Sequence, residues 1–318
     1  KGAVLDSAFQ VFEAPDAYLA TYQAVKEARF IADGAFVGEN RPGGALLTFW
    51  VHPNQFEEKG KSGGKKGKDK KVKIQVVDSA GDTIRTFSVK PDTFMNRISW
   101  NLRKDGVRFP SRNEPRNADQ LPPGMEVLPG AYELIFTYGS NVGRTSVEVK
   151  ADPRLDFNRA AMEAKAAAFT DYYALVERAT KGFDRLKEAE KTIKAVDQML
   201  LNVTDTTKTA IQKQGKMLKD SLDAYMKLYM MPDDLKGIQR SSENINSYLW
   251  RTSNYLDDSN WNKGEASQMA GIYRKKAESA VQEALDRINA FFDSDWKEYR
   301  SAVEQLEQPL FKDYEKLE

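Results

Sequence analysis

The chain has 318 residues, 41% of them hydrophobic and 30% charged, with a formal net charge of +1. That is enough for two domains with cores of their own, and too little charge for a bulk field that would draw it to nucleic acid or an anionic membrane. The absence of cysteine and the presence of one histidine, His52, exclude disulfides, thiol nucleophiles, thiolate zinc and every multi-histidine metal site, and no apolar run nears the ~20 residues that span a bilayer.

Residues 1–26 carry no apolar signal-peptide core at their start. From residue 27 to about 153 the chain reads as short strands separated by turn signals. Ala45 to Val51 is almost wholly apolar, as a buried strand would be. His52 follows at its end, before Pro53, and reads as a strand-end residue rather than a catalytic base. Val72 to Val76 and Thr83 to Val89 alternate apolar and polar residues around the turn Asp78-Ser79-Ala80-Gly81-Asp82. Ile98, Trp100 and Leu102 share one face at period two, which makes Trp100 the expected core tryptophan. Pro129-Gly130 turns the chain into Tyr132 to Phe136, and Gly139-Ser140-Asn141 into Thr145 to Val149. Roughly seven such strands predict an antiparallel β-sandwich of the immunoglobulin or fibronectin type.

Two stretches break the strand pattern. Residues 53–71 include Lys59 to Lys71, with seven lysines and four glycines, which cannot bury apolar surface and read as a strand-to-strand loop. Lys65, Lys66 and Lys68 are its candidate contacts for an anionic partner, though no aromatic residue interleaves them for base stacking. Residues 104–128, rich in Pro, Arg and Asn, read as a second long loop.

After Asp152-Pro153-Arg154 the composition changes, and Pro232 is the one proline between 154 and 308. Apolar residues then recur at spacings of three and four. Phe169, Tyr172, Val176, Ala179, Phe183, Leu186, Ile193, Val196 and Leu200 form one seam. Ile211, Leu218, Leu222, Tyr225 and Tyr229 form a second, and Ile238, Ile245, Leu249, Thr252 and Leu256 a third. Ala277 to Phe291 start a fourth, which Tyr299, Val303 and Leu306 continue. Breaks fall at Asn202 to Asp205, at Met231-Pro232-Asp233-Asp234 and at Asp257 to Asn260. Residues 154–318 therefore predict an antiparallel, up-down four-helix bundle with two outer helices of about 45 residues and two inner ones of about 24. Tyr225, Tyr229, Tyr248, Trp250, Tyr255 and Trp261 gather around the inner helices. Tyr248, Trp250, Tyr255 and Trp261 are the candidate interaction surface, for a sugar or a protein partner; the competing reading is core and rim.

No phosphate-binding, dinucleotide-binding or nucleophile-elbow motif occurs. Most of the 47 acidic residues sit beside Lys or Arg at helical spacing. The residues identify no catalytic group, no cofactor site and no metal site. Asn202-Val203-Thr204 matches the N-glycosylation triplet.

The ordered anchors Asn40 to Ala45, Asp78 to Gly81, Asn96 to Arg103, Pro129 to Tyr132 and Asp152 to Arg154 resemble a C-terminal region found in large secreted bacterial proteins. Those proteins begin with a β-propeller of the sortilin or BNR/Asp-box type. Arg41, Gly43 and Asn101 depart from that pattern. The resemblance implies residues 1–26 as a link from an N-terminal domain, 27–153 as the sandwich and 154–318 as the helical bundle. It implies an exported protein of the periplasm, outer-membrane surface or medium, of Bacteroidetes-like origin, with Asp6-Ser7-Ala8 and Asp78-Ser79-Ala80 as O-glycosylation triplets. Any hydrolase activity would belong to the propeller, which this chain does not contain. The expected function is a non-catalytic region that spaces and docks a protein partner or neighbouring domain. The alternative is a carbohydrate-binding accessory region of a glycoside hydrolase.

Overall fold

The computed structural model describes residues 2–20, 42–56, 71–115, 120–201, 203, 207–232, 243–257 and 266–306. The chain divides into two compact units. The first is Lys1–Val107, Pro115–Phe169 and Asp257–Glu265; the second is Arg108–Glu114, Thr170–Leu256 and Ala266–Glu318.

After a single helical turn, α1 (Gly2–Leu5), the first unit is β-rich. Strands β1 (Phe9–Val11), β3 (Ala45–Val51) and β6 (Phe94–Trp100) form a three-stranded sheet in the order β1-β3-β6. Strands β2 (Ala17–Leu19), β4 (Val72–Val77), β5 (Thr83–Val89), β9 (Gly130–Tyr138) and β10 (Asn141–Ala151) form a curled five-stranded sheet in the order β2-β10-β9-β4-β5. β7 (Arg103–Asp105) and β8 (Pro123–Glu126) pair as a separate two-stranded ribbon. The inner faces of both larger sheets feed one core, in which the Phe49 and Phe136 rings lie 5.8 Å apart. Trp100 is 1% exposed and packs edge-on against Tyr132.

Two expectations fail here. The all-antiparallel immunoglobulin or fibronectin sandwich is overturned by the parallel pairing of β2 with β10, which makes the five-stranded sheet mixed. β1 and β2, at positions 9–19, supply an edge strand to each larger sheet. They lie in the stretch 1–26 expected to be a link, and three-residue strands are too short to show a period. The long loop 104–128 also holds β8, and one buried cation explains the ribbon. Arg85 shares a face of β5 with Phe87 and Val89 and is 6% exposed. Its guanidinium donates to Asp105 Oδ1 at 2.8 Å and to the carbonyls of Leu121 and Pro122 at 3.2 and 2.9 Å. A buried charge needs such partners, and these come from the two arms of the loop.

The second unit is helical: α2 (Arg159–Leu200, whose first turns belong to the first unit), α3 (Lys208–Tyr229), α4 (Ile245–Leu256), α5 (Gln268–Asp293) and α6 (Asp295–Glu304). The expected seams are buried: Phe169, Tyr172, Val176, Ala179, Phe183 and Leu186 on α2, and Ile211, Leu218, Leu222 and Tyr229 on α3. Asn244 caps α4 reciprocally: its Oδ1 accepts from Ser247 N at 2.9 Å and its N donates to Ser247 Oγ at 3.2 Å.

The up-down four-helix bundle with two long outer helices is not what forms. α2 spans 42 residues, but its expected equal is broken at Ser294 into helices of 26 and 10 residues, and the described α4 has 12. Ser294 leaves helical backbone at φ −112°, ψ −89°, and its hydroxyl donates to the Ala290 carbonyl at 2.8 Å. Asp295 and Glu298 then sit in the first turn of α6, where carboxylates favour a new N-terminus. Ile238 and residues 258–265 lie outside the described residues.

The segment 108–114 is strapped onto the helices. Arg108 pairs with Asp184, and the Arg108 carbonyl accepts from Thr180 Oγ1 at 2.6 Å. Asn246 Nδ2 donates to the Pro110 carbonyl at 3.1 Å, and Glu114 lies 3.2 and 2.9 Å from Lys187 and Lys191. The hydrogen bond from Lys191 leads in holding the Glu114 carboxyl below its ordinary value.

Candidate interaction surface

Each anchor in the first unit, over its described residues, is occupied by the fold. Gly44 sits at φ +88°, where a Cβ would come 2.1 Å from the Trp100 carbonyl oxygen. Asp78 closes its turn by accepting from the amides of Ala80 and Asp82 at 3.0 and 3.1 Å. Asn96 is 8% exposed. It accepts from Asp92 N and donates to the carbonyls of Asp92 and Phe94, which holds Phe94 at φ +72°. Trp100 donates through its indole nitrogen to the Arg103 carbonyl at 3.0 Å. Tyr132 donates to the Leu128 carbonyl at 2.7 Å, and burial raises its hydroxyl to about 12. Asp152 is buried and grips the Arg154 guanidinium. His52 ends its strand, its Nδ1 accepting from Asn54 N at 3.2 Å. Two cavities among the described residues of this unit, beside Met125 and Phe169 and beside Leu19 and Phe157, are about 30 and 10 Å³. Each has room for water rather than substrate.

The second unit carries an outward array on α4 and α5. Tyr248, Arg251 and Tyr255 recur at three- and four-residue spacing along α4, and Met269, Tyr273 and Lys276 do so along α5. Tyr255 and Tyr273 stack nearly parallel, 9° between planes and 5.6 Å between centroids. Arg251 donates to the Tyr273 hydroxyl at 2.8 Å, with its guanidinium carbon 5.2 Å from that ring. Lys276 Nζ lies 5.8 Å from the Tyr248 ring centre and 5.7 Å from that of Tyr273, and 3.6 Å from Glu243. Burial, and then the Glu243 carboxylate, push the Tyr248 hydroxyl up. Cation and ring thus preorganise one another. Beside them stand exposed apolar side chains: Tyr255 and Met269 at 37% and Ile272 at 49%.

The candidate residues separate accordingly. Tyr248 and Tyr255 come together in the array. Trp250 is 60% exposed, but it follows Tyr248 by two positions, a turn of about 200°, and leaves α4 on another side. Tyr229 belongs to the core against Phe183, and Tyr225 meets Phe291. Lys65, Lys66, Lys68 and Trp261 lie outside the described residues. Sequence reasoning missed Arg251, Met269, Ile272, Tyr273 and Lys276. The signal was present in Tyr255 and Tyr273, one off-seam tyrosine on each of two successive helices.

Among the described residues, no group of three or more His, Asp or Glu is placed to hold a metal ion, and no helix is long and apolar enough to cross a membrane. No family model and no curated protein matches the chain.

Proposed function

We propose that this chain is a non-catalytic structural and interaction region of an exported bacterial cell-envelope protein, docking a protein partner or a neighbouring domain such as an N-terminal β-propeller. The observation that carries the reading is the α4–α5 array, where stacked tyrosines, held cations and exposed Met269 and Ile272 occupy one flank. Aromatic and arginine side chains of this kind anchor protein interfaces. Further support comes from the anchors of the first unit, whose polar groups are committed to holding turns. Export and the propeller rest on the resemblance of those ordered anchors alone.

The test has two parts. Purified chain is offered a panel of chromogenic glycosides, esters and peptides, with no turnover expected; a hydrolysis abolished by one point substitution overturns the reading. Peptide mapping of the native polypeptide upstream of Lys1 is then expected to find Asp-box repeats. A native N-terminus at Lys1 removes the propeller as the docked domain.

A further inference from the structure

The break at Ser294 opens a groove elsewhere in the helical unit. Its volume is about 300 Å³, and it is lined by Arg185, Glu188, Ala189 and Thr192 of α2 together with Phe292 and Trp296 on either side of the break. One wall is aromatic: the Phe292 and Trp296 rings meet nearly edge-on at 5.5 Å. The other is polar. Arg185 holds its guanidinium carbon 5.6 Å over the Phe292 ring centre and donates to Asn289 Oδ1 at 3.4 Å. Thr192 donates to the Glu188 carbonyl at 3.0 Å, and its exposed hydroxyl oxygen keeps acceptor capacity. Ala189, small and buried, lies between the walls.

We infer that this groove is a binding site for a neutral saccharide, with a sugar ring lying on Trp296 and its hydroxyl rim toward Glu188, Thr192 and Arg185. Three features select that chemistry. The volume is at the small-ligand end of binding clefts. The walls are chemically opposite, so an apolar side chain would strip water from the exposed Glu188 carboxylate and Thr192 oxygen without replacing it, which disfavours it, whereas a sugar ring has an apolar face and a hydroxyl edge. The lining carries one cation and one anion, so no net charge selects an ionic ligand. None of these residues belongs to the α4–α5 array, and the inference stands or falls apart from the docking role.

The full chain is titrated with the methyl glycosides of glucose, galactose, mannose and N-acetylglucosamine, read by tryptophan fluorescence and by saturation-transfer NMR. At least one is expected to bind with a dissociation constant on the order of 1 mM. Glu188→Gln and Thr192→Val, both on an exposed helix face, are each expected to weaken it about five- to tenfold at unchanged melting temperature. Trp296→Phe is expected to remove the fluorescence response, and Trp250→Phe to retain it. Failure of all four glycosides to bind overturns the inference. So does binding that Glu188→Gln and Thr192→Val leave unchanged, or displacement of every glycoside by N-acetyl-leucinamide, which would mark a peptide groove.

Discussion

The two units differ in how far they rely on polar side chains to satisfy the backbone. In the β unit, turns and strand ends leave backbone amides and carbonyls that no ladder satisfies, and side chains fill the need: Asn96 for Asp92 and Phe94, Asp78 for Ala80 and Asp82, Tyr132 for Leu128. In the helical unit, outside the 108–114 strap and the helix ends, the backbone satisfies itself. The buried hydroxyls of Tyr229 and Tyr299 find no hydrogen-bond partner among the described residues and are tolerated where they approach Gly182 and Gly215. Polar and aromatic groups not needed by the fold then gather on outer flanks. Ordered motifs in a β-rich segment therefore mark architecture first, and surface chemistry is better sought on the helices.

The sharpest way to break that contrast is at Gly44. Gly44→Ala places a Cβ on the Trp100 carbonyl at a positive φ and is expected to lower stability by about 3 kcal/mol, read from the urea midpoint. An unchanged midpoint would mean that the anchors are not structural.

Next come paired deletions of polar atoms. Asn96→Ala removes three hydrogen bonds from a buried turn and is expected to cost about 2 kcal/mol. Tyr229→Phe and Tyr299→Phe remove hydroxyls without partners and are expected to be neutral, or stabilising by up to about 1 kcal/mol. Burial raises both hydroxyls, that of Tyr299 to about 12, in keeping with an environment that offers them little. Equal losses from all three substitutions would erase the difference between the units.

A smaller effect separates two carboxylates nine positions apart. Burial outweighs Thr86 and Arg85 and raises Asp105, so the folded chain holds that proton more tightly than the unfolded one. Stability from Asp105 therefore falls as pH climbs from the ordinary aspartate value through the raised one. Glu114 is lowered, chiefly by Lys191, so its contribution is present above the ordinary glutamate value and lost as pH falls through the lowered one. Asp105→Asn and Glu114→Gln should change the acid limb of the stability curve in opposite directions. Salt should shrink only the Glu114 effect, since that group is exposed. Matching changes would contradict these assignments.

Period-two alternation identified the central strands, and period 3.6 the buried stripes of α2 and α3, because long periodic segments carry the strongest signal. The same patterns were blind to β1 and β2, to the burial of Arg85 and to the break at Ser294. A three-residue strand has no measurable period. An arginine on an alternating strand looks solvated until a distant loop is folded over it. The interval from Phe291 to Tyr299 keeps helical spacing although Asp293-Ser294-Asp295 lies within it. The candidate surface was half legible: Tyr248 and Tyr255 were found from their own helix, but Tyr273 gains meaning only when α5 lies beside α4.

The docking role is tested most directly by site-resolved photocrosslinking in the native polypeptide. A crosslinking residue replaces Ile272 on the α5 flank, or Val142 at the start of β10, which is exposed to 61% and belongs to the β unit. The expected result is crosslinking from position 272 to one defined segment of a partner or neighbouring domain, reduced by Tyr255→Ala at unchanged melting temperature, and little from position 142. Equal yields at the two positions, or none at 272, would contradict docking through the α4–α5 flank.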